Sequence, residues 1–131
     1  MTSATGEFAI ASWDESTYKE LDNGGKLTRA DVTMTFTGDL TGGGEAQWLM
    51  CYRKDGTARF VGLQRIEVAV DGRDGGFVAE SVGDFDGGKA AGTWSVLDGS
   101  GTGGLAGIAG GGRFEAPLHS SASFQLDYTI G

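Results

Sequence analysis

The 131-residue chain contains one cysteine, one histidine and one proline. With Cys51 alone there is no internal disulfide and no multi-thiolate metal site. With His119 alone, one chain cannot assemble a histidine-rich zinc centre, so no metal is expected. Basic residues are also scarce: 10 Lys and Arg stand against 18 Asp and Glu, for a formal net charge of −8. They are scattered singly, and nothing in the chain is suited to neutralising a run of phosphates, so nucleic acid is not an expected partner. No apolar run approaches the roughly 18 residues of a membrane helix. The opening residues Met1 to Phe8 lack the basic and apolar regions of a secretory signal, which makes the cytoplasm the expected location.

What the chain has instead is alternation. In Val32 to Thr37, large apolar residues alternate with threonine. Trp48, Met50 and Tyr52 alternate with Gln47, Leu49, Cys51 and Arg53. Phe60, Gly62, Gln64, Ile66, Val68 and Val70 share one face, and Phe124, Leu126, Tyr128 and Ile130 share another. A period of two is the mark of half-buried strands. Further strands are expected at 6–13, 76–85, 90–97 and 112–117. Asp-Gly and Gly-Gly pairs between them supply the positive φ angles of hairpin turns. Eight strands joined mostly by short turns, each with one apolar face and no long helix to cover them, predict an all-β antiparallel barrel forming one domain over 1–131. Only 14–25 reads as a helical or irregular excursion. Pro117 falls near a strand end, where its missing donor matters least.

Glycine is the opposite of scarce, with 25 in the chain and eight of them between Gly99 and Gly112. Gly99 to Gly104 satisfies GxGxxG, yet the four glycines from Leu105 to Gly112 oppose the helix that a dinucleotide site requires. Gly83 to Lys89 satisfies GxxxxGK, but Ala90 replaces the magnesium-binding hydroxyl and two aspartates in the loop repel phosphate. The better reading of 99–112 is a plug. Thr102, Leu105 and Ile108 form one turn that tucks two apolar side chains under a barrel end, with glycines permitting tight bends beside it.

The run Gly101-Thr102-Gly103-Gly104-Leu105-Ala106-Gly107, followed by Gly110, resembles the G-T-G-x-[FL]-x-G turn of the allene oxide cyclase and dirigent-protein barrel superfamily. Ala11 to Glu15, Lys26 to Ala30, Phe60 to Arg65 and Gly92 to Trp94 resemble a bacterial family of uncharacterised proteins placed in that superfamily. The resemblance implies an eight-stranded barrel with a hydrophobic lumen, often homo-oligomeric. It also implies cofactor-free cyclisation or coupling of a small molecule held inside. No catalytic residue is carried over from it.

If the more apolar face of each strand turns inward, the lumen receives Phe8, Ile10, Val32, Met34, Phe36, Trp48, Met50, Tyr52, Phe60, Gln64, Ile66, Trp94, Val96, Phe114, Phe124, Leu126 and Tyr128. Of these, Trp48, Met50, Phe36, Met34, Phe60, Trp94 and Tyr128 are the candidate ligand contacts. Gly62, Ala90 and Gly92 would leave room beside them. An eight-stranded barrel is only just wide enough for its own side chains, so a filled core stands equally open.

Three polar residues are the catalytic candidates: Tyr52, Gln64 and Glu80. A buried amide at Gln64 must find partners in protein, water or ligand. Glu80 would be a buried general acid or base if Val78 and Val82 face inward. It would face water if Phe77, Ala79 and Ser81 do so instead. Cys51 as a nucleophile would need His119 beside it. Three functions follow: a cofactor-free cyclase or isomerase, a non-catalytic ligand carrier, or a filled barrel acting through its outer surface.

Overall fold

In the computed structural model, which describes residues 1–118 and 120–131, the elements are all strands. They are β1 (Thr2–Glu20), β2 (Lys26–Gly38), β3 (Thr41–Tyr52), β4 (Ala58–Val70), β5 (Arg73–Phe85), β6 (Lys89–Val96), β7 (Thr102–Gly103), β8 (Ile108–Pro117) and β9 (Ala122–Ile130). Hydrogen bonding runs β4-β3-β2-β1-β9-β8-β6-β5, and β5 returns to β4. Eight antiparallel strands therefore close a barrel, with the two-residue β7 added on β5. His119 lies outside the described residues, and Cys51 is exposed on the outer face.

The alternation expected from the sequence places the core. Phe8, Phe36, Phe60, Trp94, Phe114 and Phe124 meet inside, with ring centroids 5.3 to 6.3 Å apart. These offset and tilted contacts suit aromatic quadrupoles better than flat sandwiches do. Two of the three small residues expected to leave room are occupied. A Cβ on Gly62 would lie 2.6 Å from Trp48 Cδ1, and one on Gly92 would lie 2.8 Å from Phe114 Cζ. Glycine on one strand is thus the seat for a ring from its neighbour.

One expectation is corrected and one open alternative is decided. The 14–25 segment is no excursion: β1 continues to Glu20 and turns into β2 through a hairpin closed by Leu21 N–H donating to Gly25 O at 2.9 Å. Asp14 to Glu20 carries, apart from Tyr18, only polar side chains and runs as an edge. After pairing with β9 from Thr2 to Phe8, β1 leaves that strand and follows β2 alone. Charged edges of this kind discourage pairing with other chains. On β5, Phe77, Ala79 and Ser81 face inward, so Glu80 lies outside and exposed, opposite Leu63 and Ser95.

The glycine run divides in two. Residues 99–107 are the expected plug: Leu105 is 0% exposed and Ile108 nearly so, with Leu105 N–H donating to Thr102 O and Ile108 N–H to Leu105 O. A Cβ on Gly101 would sit 2.1 Å from Leu105 O, so only glycine permits this turn to close. From Ile108 onward the run is strand β8, which starts earlier than the alternation alone suggested because glycines carry no apolar signal.

Candidate functional site

The end of the barrel opposite the plug is open. It holds a cavity of about 590 Å³ between Trp13, Trp48, Met50, Tyr52, Phe60, Phe85 and Phe114, with Ala90 and Ala116 in the wall. The parting of β1 from β9 forms one side, where Ala9 and Ile10 face Leu118, Ser120 and Ser121 across the gap. Among the described residues, no charged side chain lines it. Such a volume and lining fall within the range of small-molecule sites.

A one-residue bulge builds the rim. Ile10 pairs with Met34, but Ser12, not Ala11, pairs with Thr33. The slip moves odd-numbered residues inward beyond that point. Trp13 therefore faces the cavity and packs on Trp48 at 5.9 Å, while Glu15 lies opposite buried Ala30. Ile10 itself is 44% exposed at the mouth, a correction to its expected place in the lumen.

Glu15 collects the polar groups of the rim. Trp13 Nε1–H donates to its Oε1 at 3.0 Å, and Thr28 Oγ1–H donates to its Oε2 at 2.7 Å. Thr28 is buried, and this bond satisfies its hydroxyl. Tyr52 Oη–H points at Met50 Sδ, 3.9 Å away, and the Glu15 carboxylate also acts on it. Partial burial, then the Glu15 charge and hydrogen bond, push the Tyr52 pKa up to about 12. Tyr52 is accordingly a neutral donor at ordinary pH. Lys26 places its Nζ 5.2 Å from the centre of the same ring.

One donor of a cavity-lining residue is buried away from the cavity surface and unused among the described residues. Trp48 is 5% exposed, and its Nε1–H is buried with no partner among the described residues. An indole N–H in that state costs free energy until an acceptor reaches it.

The other candidates separate cleanly. Trp48, Met50, Tyr52 and Phe60 line the cavity. Met34, Phe36 and Trp94 are buried in the filled middle of the barrel and do not line it. Tyr128 lies at the plugged end, where its strand neighbour is Gly110. Gln64 finds its partners in protein: Trp94 Nε1–H donates to its Oε1 at 2.9 Å, and its Nε2–H points at Met34 Sδ. It ties core strands together and does not reach the mouth. Glu80, on the outer wall, shares no space with either. The sequence reading missed Trp13 and Glu15 because the bulge at Ala11 reverses the parity on which it relied. An acidic residue two places after a tryptophan, in a stretch with no other apolar partner, was the available hint.

Comparison with known proteins agrees with this barrel. A crystal structure of a protein with unknown function from the DUF3224 family of Shewanella oneidensis MR-1 is similar over 100% of this chain and 98% of that one, with a TM-score of 0.81 and 22% identity. No curated protein matches the chain. The barrel and the uncharacterised family are thus the part of the resemblance that the comparisons carry. The sequence family described as "Protein of unknown function (DUF3224)" matches residues 4–128, and the chain belongs to that family.

Proposed function

We propose that this protein is a ligand-binding barrel that takes a small, mainly apolar molecule into its open mouth. One observation carries the reading: the barrel is packed and plugged at one end, yet about 590 Å³ at the other is walled by aromatic rings. Burial of an apolar molecule there draws on roughly 25 cal/mol for each Å² removed from water.

Cofactor-free isomerisation or cyclisation is the second reading, favoured by the Glu15 charge acting on the Tyr52 phenol. With a pKa of about 12, Tyr52 would donate a hydrogen bond to a carbonyl or enol oxygen, and the cavity walls would fix the reacting conformation. Gln64 and Glu80 have no part in it. The lumen cyclase is therefore reduced to one phenol and one carboxylate at the mouth.

The test is titration with N-phenyl-1-naphthylamine, a neutral fluorophore that brightens in apolar surroundings. Saturable binding is expected, with energy transfer from Trp13 and Trp48. Ala90→Trp fills the cavity from β6 and should remove that binding while leaving the fold intact. A wild-type protein that gives no saturable signal contradicts the proposal, as does an Ala90→Trp variant that binds equally well.

A further inference from the structure

The mouth also carries information about the charge of what enters it, and the following rests on the ligand-binding reading above. Seven aromatic side chains line the cavity, among them Trp13, Trp48, Tyr52 and Phe85. The faces of such rings are negative and attract cations, most strongly where water is excluded. At the rim the Glu15 carboxylate is held by two donors, Trp13 Nε1–H and Thr28 Oγ1–H, that carry no charge themselves. Each of the five ion pairs among the described residues joins other side chains, and Glu15 is in none of them. Hydrogen bonds from neutral donors orient a carboxylate without neutralising it.

The chain supplies a demonstration of what this surface holds. Lys26, opposite Tyr52 in the β2–β3 register, rests its ammonium over the Tyr52 ring at 5.2 Å from the centroid. A tethered cation already uses one face of the cage. The cavity wall itself has no Lys or Arg with which to meet a carboxylate, and the whole molecule carries a net charge of −8. Lys26 is a cationic side chain that would favour an anion. Its ammonium is already engaged by the Tyr52 ring.

We propose that the mouth selects lipophilic cations, an amine or quaternary ammonium on an apolar body, with the apolar body among the inner rings and the cationic head between the Tyr52 face and Glu15. Lys26 occupies that position in the empty protein and gives way when the ligand arrives.

A matched series tests this by displacement of N-phenyl-1-naphthylamine: trimethyl(4-phenylbutyl)ammonium, its uncharged carbon isostere, and 5-phenylpentanoate. The cation should bind about tenfold more tightly than the isostere, as expected for a desolvated cation–π and carboxylate contact, and the carboxylate should bind most weakly. Glu15→Gln should erase most of the cation preference while leaving the neutral fluorophore bound, which shows that the cavity is intact. Lys26→Met should strengthen cation binding. An equal affinity across the series overturns the charge selection and leaves the ligand-binding reading standing. So does a preference for the carboxylate. A cation preference that survives Glu15→Gln and disappears with added salt reports only the overall negative field and also overturns the inference. If the fluorophore itself never binds, the failure belongs to the ligand-binding reading.

Discussion

The two ends of this barrel are closed and open by the same residue types used in opposite ways. At the plugged end, the glycines of 99–107 let the backbone fold back so that Leu105 and Ile108 fill the lumen. In the strands, glycines such as Gly62 and Gly92 are seats for aromatic rings. The rings then pack the middle and stop short of the mouth, where β1 has already parted from β9. Glycine content alone therefore says nothing about flexibility here. Its effect depends on what lies within 3 Å of the missing Cβ.

That contrast can be broken from either end, and the plug should be the more costly. Leu105→Ala removes a fully buried side chain from a site whose backbone is fixed by the β5–β7 pairing. Urea unfolding should show a loss of about 2–5 kcal/mol, with fluorophore affinity at the mouth little changed. Gly62→Ala acts in the wall between the two ends. Its Cβ would approach Gln47 O to 2.1 Å and the Trp48 ring to 2.6 Å, so stability should fall by about 1–3 kcal/mol. Unlike the plug variant, it should also weaken the probe by displacing Trp48. Gln64→Leu leaves the Trp94 N–H buried without its acceptor and should cost about 1–3 kcal/mol by the same measurement. Probe binding should persist, because Gln64 serves the core.

The smallest effect is at Tyr52 and is read by pH. Its folded pKa lies near 12 against an ordinary 10.0, so the folded state favours the neutral phenol. That contribution is whole below pH 10, and it is lost as pH rises toward 12, because the unfolded chain releases the proton first. Phenolate absorbance should show Tyr52 titrating late, and Glu15→Gln should bring its midpoint down. An unchanged midpoint in that variant would remove Glu15 from the phenol's surroundings.

Much of the barrel was legible because period-two alternation survives wherever one face meets the core. Val32 to Phe36, Trp48 to Tyr52 and Phe124 to Tyr128 all follow it. The plug was legible because Leu105 and Ile108 are the large apolar residues in a glycine background. Glu80 illustrates the limit: on β5 both parities offer apolar faces, Val78 with Val82 or Phe77 with Ala79. Only pairing with β4 and β6 decides between them. The rim was the least legible part. Its carboxylate reaches the inner face through a single-residue bulge, and its edge strand is polar on both sides, so neither alternation nor apolar content marks it.

The proposed ligand enters at one end of the barrel only. The most direct measurement is an NMR titration of the ¹⁵N-labelled protein with N-phenyl-1-naphthylamine. It follows the indole N–H signals of Trp13 and Trp48 together with the backbone amides of Leu105 and Ile108. Saturable shifts are expected at both indoles, and none at the plug. Unmoved indoles at probe saturation, or shifts centred on Leu105 and Ile108, would contradict entry at that end.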